Sequence, residues 1–327
     1  MISILVCTYK RAGSLKELLQ SLVLQTRTPD EVLIIDGSPD EETRLMLDGA
    51  GFALPIKYFS VPPESRGLTR QRNYGVARIA HDADIVVFFD DDVVLIPKYL
   101  ELLEATYQTH PDAAAVGGIS TNERQWEKYD PDKHRGDWWY ILDGFAVKLG
   151  DRQFVRRKLG LFTNVTPFCV PEFGHGYDIL PPSGITYKAE HLIGCNMSFK
   201  RKVFDEISFS HYFEGYGLYE DYDFSIRALR FGNAYVNSAL QLEHHHHPAG
   251  RPNTYKYGKM VTRNGWYVWR LARPNAKTID RLKWWVITSL QTVFLLKSIA
   301  KREARMEFLG RFVGMVSLVF NPPKVEF

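Results

Sequence analysis

The sequence has 327 residues, of which 45% are hydrophobic and 24% are charged. This composition is typical of a globular protein, and it excludes a mostly disordered or collagen-like chain. The three cysteines, Cys7, Cys169 and Cys195, are too few and too widely spaced for a disulfide framework or a Cys-x-x-Cys zinc site. We therefore expect a protein of a reducing, cytoplasmic compartment.

The net charge of +3 is unevenly distributed. Residues 254–327 contain 14 Lys and Arg against 4 Asp and Glu, a local excess of +10, so residues 1–253 carry −7. A basic C-terminal region is expected to meet an anionic surface, either a membrane or a nucleic acid. We expect no signal peptide, because the first residues lack a basic segment. The longest uncharged stretch of this region, Trp284–Leu296, has 13 residues, too few for a transmembrane helix of about 20.

The first 120 residues alternate strand-like and helix-like segments. Short runs rich in β-branched residues predict strands at Ile2–Cys7, Glu31–Asp36, Ile56–Val61, Ile85–Phe89 and Ala113–Val116. Leucines at helical spacing predict a first helix that begins at Ser14, with Ser14 and Glu17 as a capping box. This order predicts an α/β fold, a Rossmann-like and mostly parallel sheet with helices on both faces. Ligands of such sheets bind at the carboxyl ends of the strands.

The alternation of strand-like and helix-like segments is lost between residues 120 and 190, a region that we expect to form long loops over the sheet. Asn196–Phe199 and Ala234–Leu242 predict two further strands, with a helix from Tyr219 to Phe231 between them. The chain is expected to be helical after Asn253. We therefore predict a catalytic domain over residues 1–253, with halves 1–119 and 120–253, followed by a basic, amphipathic helical region over residues 254–327.

Three consecutive aspartates, Asp90, Asp91 and Asp92, follow one of the most apolar predicted strands. In extended chain Asp90 and Asp92 point to the same side, and two adjacent ionised carboxylates need a cation. Their hard oxygen ligands suit Mg²⁺ or Mn²⁺, which can screen the charge of a diphosphate leaving group. An acidic turn that caps the following helix is an equally good interpretation.

Two later segments carry further candidates. In Glu220–Asp223 one carboxylate could act as a general base, although acidic residues also stabilise the first turn of a helix. In the run His244–His247, alternation places His244 and His246 on one face, where neutral imidazoles could ligate a divalent metal. An exposed polar turn is the alternative for these histidines.

Six segments in order resemble the family 2 glycosyltransferases, which have a GT-A fold. They are Ser3–Arg11, the strand and loop Ile34–Asp40, Gly67–Gly75 with its Arg72-Asn73, the triplet Asp90–Asp92, Gly194–Phe199 and the pair Glu220-Asp221. The chain departs from the family pattern at Cys7, where Pro is usual, and at Lys10, where Asn is usual. Its Asp36-Gly37-Ser38 loop is one residue shorter than the common form.

The resemblance implies a role for each matching residue. The nucleotide-sugar would be bound by eight residues: Thr8, Tyr9, Arg11, Asp36, Arg72, Asn73, Asp90 and Asp91. Asp221, with Glu220 beside it, would be the catalytic base. The metal ligands would come from Asp92, Asp90, His244 and His246, and Asn196 would lie on the acceptor side.

These observations predict an inverting glycosyltransferase of the hexosyltransferase type, dependent on Mn²⁺ or Mg²⁺. It would move a sugar from a nucleoside-diphosphate sugar to a hydroxyl acceptor in bacterial or archaeal cell-surface polysaccharide, glycolipid or glycan assembly. Inversion is expected because a single base is present without a carboxylate nucleophile. The alternatives are a sugar-phosphate nucleotidyltransferase and a non-catalytic carbohydrate- or membrane-binding protein on the same fold.

The expected partners follow from the aromatic residues and the basic region. Trp138 and Trp139 could stack on acceptor sugar rings. Five apolar residues recur at helical spacing after Lys283: Val286, Ile287, Leu290, Val293 and Phe294. With the excess positive charge they predict peripheral contact of residues 277–322 with the inner face of a membrane, a lipid-linked acceptor and no nucleic acid. Packing against the protein itself, or self-association into a homo-oligomer, is the alternative for this surface.

Overall fold

The computed structural model describes residues 1–162, 165–174, 176–213, 215–247 and 252–326. Within them the chain forms twelve strands and nine α-helices. The strands are β1 (Ile2–Thr8), β2 (Glu31–Asp36), β3 (Ile56–Ser60), β4 (Ile85–Asp90), β5 (Val93–Leu95), β6 (Ala113–Ser120), β7 (Glu127–Lys128), β8 (Trp139–Leu142), β9 (Phe145–Lys148), β10 (Thr186–Ala189), β11 (Asn196–Lys200) and β12 (Asn233–His244). The helices are α1 (Ala12–Val23), α2 (Glu42–Ala50), α3 (Leu68–Val76), α4 (Tyr99–Thr109), α5 (Asp151–Lys158), α6 (Glu220–Ala228), α7 (Thr254–Ala272), α8 (Thr278–Val293) and α9 (Arg302–Phe320).

The chain divides into two compact units. The first unit contains residues Met1–Gln125 and Pro182–Arg251, and the second contains Trp126–Pro181 and Pro252–Phe327. The domain boundary that we placed at residue 253 stays a prediction. Among the described residues, no helix combines the length and the apolar character that crossing a membrane requires.

The first unit is built on a nine-stranded sheet. Its strand order is β10-β12-β6-β11-β4-β1-β2-β3, and β5 pairs with β12. Strands β3, β2, β1 and β4 are parallel neighbours, as are β6 and β12, while β11 runs antiparallel between β4 and β6. The predicted α/β sheet is confirmed, and the strands that sequence periodicity predicted lie within about four residues of their observed ends.

Helices cover both faces of this sheet because side chains alternate along each strand. On one face, Ile4 and Ile34 belong to a buried core that includes the leucines of α1. On the other face Gly75 of α3 lies against Leu5 and Ile35, so closely that a Cβ added to Gly75 would come 2.3 Å from Leu5 Cδ1. The sheet is therefore shielded on both sides, and its carboxyl edge is where polar groups collect.

The start of α1 differs from the prediction. The helix begins at Ala12 and Ser14 lies inside it, and the N-cap residue Arg11 makes no side-chain capping bond. The capping-box prediction was therefore wrong. The side chain of Arg11 instead reaches Asp91 after β4, which fixes the helix start by a tertiary contact that a local motif cannot reveal.

The second unit contains more regular structure than the sequence predicted. Strands β7, β9 and β8 form a small antiparallel sheet, followed by α5, where we expected only loops. These strands have two to four residues, too few for periodicity to identify them.

The C-terminal helices that we predicted are confirmed as α7, α8 and α9. Helices α7 and α9 pack closely through glycines, since a Cβ on Gly258 would come 2.3 Å from the Glu307 carbonyl oxygen. The buried face of α8 consists of Trp284, Ile287, Thr288 and Thr292. The Thr292 hydroxyl donates to the Thr288 carbonyl at 2.8 Å, which lets the threonine face be buried while Val286 and Val293 stay exposed. The apolar stripe that we predicted to contact a membrane includes Ile287, but Ile287 is buried in the structure.

Candidate active site

Polar residues collect at one edge of the first unit's sheet because the strands end there together. The register pairs Thr8 with Asp36 and Cys7 with Asp90, so β1, β2 and β4 finish side by side. The antiparallel strand β11 begins at the same edge, where Asn196 pairs with Phe89. The carboxyl end of β12, which pairs in parallel with β6, brings the histidine run to this edge as well.

Asp91 is turned into the protein. Its side chain is 3% exposed, and its oxygens accept hydrogen bonds from the Thr8 hydroxyl at 2.7 Å and from Arg11 at 2.9 Å. Burial raises the pKa of Asp91 to about 6, although Arg11 and Thr8 act in the opposite direction. Asp91 therefore connects the ends of β1 and β4, and its predicted contact with the nucleotide stays a prediction.

Asp92 and His244 form the centre of a candidate metal site. Oδ1 of Asp92 is buried and, among the residues that the structure describes, makes no hydrogen bond of good geometry, although Nε2 of His244 lies 3.2 Å away. Asp90, Asp92 and His244 each offer one ligand atom, and these atoms lie within 4.8 Å of one another. Neighbouring ligands of an octahedral Mg²⁺ or Mn²⁺ ion lie about 3 Å apart. The 3.2 Å between Oδ1 of Asp92 and Nε2 of His244 matches this spacing, and Asp90 adds a third ligand atom within 4.8 Å, so these residues fit the expected cation.

The electrostatics of this group favour a positive charge. Burial alone would raise the pKa of Asp92, but His244 and the backbone N–H of His247 lower it to about 2. Burial would lower the pKa of His244, but Asp92, Cys195 and Glu123 raise it to about 12. The carboxylates thus hold a proton on the imidazole, and a bound cation would replace that proton.

Arg72 and Glu220 form a buried ion pair behind the acidic edge. Arg72 is 2% exposed, donates to Glu220 and to the Gly194 carbonyl at 3.1 Å, and lies 3.6 Å from Oδ1 of Asp90. Burial raises the pKa of Glu220, and Arg72 opposes that shift. Arg72 therefore contacts both predicted acidic motifs, through Asp90 and through Glu220. The Glu220 carboxylate is paired with this guanidinium.

Asp221, at the start of α6, has a different environment. Its Oδ2 accepts a hydrogen bond from the Gly194 backbone N–H at 2.8 Å, and its Oδ1 accepts one from the Tyr222 N–H at 2.9 Å. Burial raises the pKa of Asp221, although these two N–H groups act against the shift. No salt bridge involves Asp221 within the described ranges, so its carboxylate keeps lone pairs for a substrate proton.

The remaining residues predicted to bind the nucleotide differ in their burial and in their hydrogen bonds. Asp36 is 1% exposed, and its oxygens accept from the Ser38 backbone N–H at 2.8 Å and the Tyr58 hydroxyl at 3.0 Å. Asn73 pairs both amide atoms with the backbone of Phe209. Tyr9 is 41% exposed beside the end of β1.

The three acceptor-side candidates lie in two units. Asn196, in the first unit, is buried, and neither of its side-chain amide atoms has a hydrogen-bond partner in the part of the chain that the structure describes. Trp138 and Trp139 belong to the second unit. Trp138 stacks on Phe154 with ring centroids 3.8 Å apart, and Trp139 meets His134 edge-on.

Sequence reasoning missed two residues at the edge. Gln71 is 5% exposed and donates to the carbonyls of Thr8 and Ile35, which ties the ends of β1 and β2 together. Glu123 lies 3.4 Å from Nδ1 of His244. The position of Glu123 just after a strand could have identified it as a site residue. It was missed because the predicted strand ended at Val116, whereas β6 continues to Ser120.

Comparisons with known proteins show the family of the chain. The family described as "Glycosyl transferase family 2" matches residues 3–208. The chain is 31% identical over 144 residues to the glucosyl-dolichyl phosphate glucuronosyltransferase of Haloferax volcanii, which is 43% of this chain and 44% of that protein. It is 30% identical over 121 residues to the amylovoran biosynthesis glycosyltransferase AmsE of Erwinia amylovora, 36% of this chain and 44% of that protein. The chain thus spans less than half the length of these relatives.

A solved structure supports the fold. The crystal structure of S. aureus TarS 1-349 superposes with a TM-score of 0.52 at 16% identity, covering 97% of this chain and 80% of that one. At this identity the likeness shows the fold alone. The predicted GT-A-like architecture is confirmed at that level.

Proposed function

Because the chain belongs to glycosyl transferase family 2, we propose that it transfers a sugar from a nucleoside-diphosphate sugar to a hydroxyl acceptor with inversion, aided by Mn²⁺ or Mg²⁺. The observation that supports this most is the grouping of Asp90, Asp92 and His244, whose ligand atoms lie within 4.8 Å at the carboxyl edge of the sheet. A family 2 relative from Erwinia amylovora is named for amylovoran biosynthesis, which supports a role in cell-surface glycan assembly.

The acidic edge would bind the donor. A divalent cation held by Asp90, Asp92 and His244 would neutralise charge on the diphosphate leaving group. Thr8, Asp36 and Tyr9 end or follow β1 and β2 at this edge, which supports their assignment to the nucleoside. Arg72 positions Asp90 from behind, because its guanidinium is held by Glu220 and the Gly194 carbonyl.

Asp221 is the better candidate for the base of the two acidic neighbours. Glu220 is paired with Arg72, whereas Asp221 accepts only backbone hydrogen bonds from Gly194 and Tyr222 in the described contacts. The raised pKa of Asp221 makes its carboxylate more basic, which suits removal of a proton from the attacking hydroxyl. A single attack opposite the leaving group inverts the anomeric centre.

The test is a transfer assay over a panel of nucleotide-sugars and acceptors, with Mn²⁺, Mg²⁺ or excess chelator. We expect acceptor-dependent release of nucleoside diphosphate and a product of inverted anomeric configuration by NMR. Asp221→Asn should lower kcat by about 10²-fold or more with donor binding retained. Asp48→Asn, at an exposed position on α2, is the matched control. Release of pyrophosphate would indicate a nucleotidyltransferase, and no release with any donor would indicate a binding protein.

We also propose that residues 277–322 contact an anionic membrane, at the cytoplasmic face, where a lipid-linked acceptor would lie. The exposed side chains of this segment include Val286, Val293, Leu309, Phe312 and Phe320, which support an apolar contact. Lys297, Lys301 and Arg302 lie among them and are exposed. Each such basic residue near an anionic surface adds about 1 kcal/mol. The relative from Haloferax volcanii is named for a dolichyl phosphate-linked sugar, which supports a lipid-linked acceptor.

Flotation with vesicles of phosphatidylglycerol and phosphatidylcholine tests the membrane proposal. The full chain should float with the anionic vesicles at low salt and less at high salt. Phe312→Ser with Phe320→Ser, which are 51% and 83% exposed, should reduce flotation. Leu24→Ser with Leu45→Ser, 68% and 65% exposed outside this segment, is the matched control. If the wild-type chain stays at the bottom of the gradient, this surface packs against another copy or another protein.

The acceptor side stays a separate proposal. One face of the Trp138 ring is covered by Phe154, and the residue is 38% exposed, which supports stacking of its remaining surface on a sugar ring. Asn196, in the first unit, is proposed independently as a polar contact, because its buried amide has no hydrogen-bond partner among the described residues. Trp138→Ala should raise the KM for the acceptor more than that for the donor.

A further inference from the structure

A second cluster of metal-ligating side chains lies beside the acidic edge. Oε1 of Glu123 is 3.4 Å from Nδ1 of His244 and 3.1 Å from Nε2 of His246. The two imidazole rings have centroids 3.9 Å apart. His244 meets this cluster with Nδ1, while its other nitrogen, Nε2, faces Asp92. Neither Glu123 nor His246 belongs to the group formed by Asp90, Asp92 and His244.

The backbone around the cluster is arranged to bring these side chains together. The Asn122 side chain accepts from the N–H of His244 and donates to its carbonyl, both at 3.0 Å, and it accepts from the Ser120 hydroxyl at 2.9 Å. The loop after β6 is thereby tied to the end of β12, with Glu123 next in the chain. His246 has a φ of 52°, a left-handed conformation that is unfavourable for a residue with a side chain.

The turn that holds His246 in this conformation is anchored at Asp92. The N–H of His245 donates to the Asp92 carbonyl at 2.9 Å, and the N–H of His247 donates to its Oδ2 at 2.7 Å. The residues on both sides of His246 are therefore fixed. These contacts hold the two imidazoles on the same side, facing Glu123.

The distances and donor types match a tetrahedral transition-metal site. Ligands about 2.0–2.1 Å from a zinc ion lie about 3.3 Å from one another at tetrahedral angles, close to the 3.1 and 3.4 Å that separate Glu123 from the two imidazoles. Nδ1 of His244 is buried and has no hydrogen-bond partner in the described part of the chain. Two imidazoles and one carboxylate favour zinc over Mg²⁺, which prefers oxygen ligands. We propose that Glu123, His244 and His246 bind one ion of the zinc class, with water as a fourth ligand.

This second site is coupled to the first because both use His244, a consequence that rests on the proposed function. A neutral imidazole has one nitrogen lone pair free for a metal, since the other ring nitrogen carries a proton. When Nδ1 binds zinc, Nε2 carries the proton and faces Asp92. The ion at Asp90 and Asp92 then loses its nitrogen ligand, so zinc weakens the binding of Mn²⁺.

Calorimetric titration of the full chain with Zn²⁺, without any donor, tests the site independently of sugar transfer. Glu123→Gln should raise the Kd for Zn²⁺ at least tenfold, and so should His246→Gln. Asp92→Asn should raise it less than Glu123→Gln does, because Asp92 is not a ligand of this ion and Asn keeps one oxygen to accept the His247 N–H. Glu243→Gln, a neighbouring carboxylate whose side chain is 57% exposed, is the matched control and should bind as the wild type does. Co²⁺ in place of Zn²⁺ should give the intense visible absorption of tetrahedral coordination, and Glu123→Gln should remove it.

Two outcomes would overturn the proposal. The first is unchanged Zn²⁺ affinity in Glu123→Gln with loss of affinity in Asp92→Asn, which would put zinc in the acidic group instead. The second is simultaneous, independent binding of Zn²⁺ and Mn²⁺, measured by the paramagnetic resonance of Mn²⁺, which would refute the shared ligand. Circular dichroism of each variant confirms that the fold is intact before either result is interpreted.

Discussion

Replacing Arg72 with methionine should strongly destabilise the protein because it leaves a carboxylate buried without its partner. Arg72 is 2% exposed, with its guanidinium 5.7 Å from the Phe88 ring centre and 5.3 Å from that of Phe209. Methionine can fill this apolar space. It provides no positive charge for Glu220, which is 4% exposed.

The size of the effect follows from the burial of the pair. Removing one partner of a buried ion pair costs about 3–5 kcal/mol, because the remaining charge is not compensated. Arg72→Met combined with Glu220→Gln removes both charges, so the double variant should recover more than about half of that loss. The comparison separates the cost of the stranded charge from the loss of packing.

The loss should depend on pH in a defined direction. In Arg72→Met, burial still raises the pKa of Glu220, and the opposing guanidinium is gone. The folded-state pKa then lies above the unfolded value of about 4.3. Burial raises the pKa of Glu220 in the wild type too, to about 8, so both proteins lose stability in parallel as the pH rises towards that value. The destabilisation of Arg72→Met relative to the wild type therefore grows only above about pH 8, by about 1.4 kcal/mol per pH unit, until the higher folded-state pKa of the variant is reached.

Urea unfolding of the full chain at pH 7 and pH 10, followed by circular dichroism, measures these effects. We expect a midpoint for Arg72→Met that falls further below the wild type at pH 10 than at pH 7. A loss under about 1 kcal/mol at pH 10 would refute the buried-charge argument. A double variant no more stable than Arg72→Met would refute it as well.

Two further predictions concern the cation and the packing of the sheet. The affinity for Mn²⁺ should rise with pH, by up to about tenfold per unit between pH 6 and 8. The reason is that the carboxylates raise the pKa of His244, so the cation must displace a proton from the imidazole. A flat pH profile in a titration followed by paramagnetic resonance would contradict the assignment of His244. Gly118→Ala should lower the midpoint of thermal unfolding, because the added Cβ would come 2.3 Å from the Leu240 carbonyl oxygen. Gly13→Ala in α1 is the control: its Cβ would meet no described atom within 4 Å, and the variant should be more stable by about 0.5–1 kcal/mol. Equal midpoints for the two variants would refute the packing argument.

Residues at strand ends were predictable from the sequence because local pattern determines them. The apolar run before Asp90 and the alternation through Asn233–His244 locate the acidic triplet and the histidines at one edge once the strands are parallel. The antiparallel placement of β11 between β4 and β6 depends on pairing across the chain, and periodicity does not reveal it.

Other features depend on contacts that no local pattern encodes. The start of α1 is fixed by the contact between Arg11 and Asp91. Glu123 reaches His244 because β6 continues to Ser120, beyond the end of the predicted strand. In α8 the threonine face is buried because the Thr292 hydroxyl is satisfied by the helix's own backbone. Hydropathy assigns that face to solvent.

We expect the acidic edge to bind a nucleoside diphosphate through a divalent cation, and ligand-induced thermal stabilisation tests this binding most directly. With millimolar Mn²⁺, at least one of the common nucleoside diphosphates should raise the Tm of the wild type, since a ligand that binds only the folded state stabilises it. The shift should disappear in excess chelator and in Asp92→Asn. Stabilisation of equal size in chelator and in Asp92→Asn, or no stabilisation by any nucleoside diphosphate with either Mn²⁺ or Mg²⁺, would contradict the account.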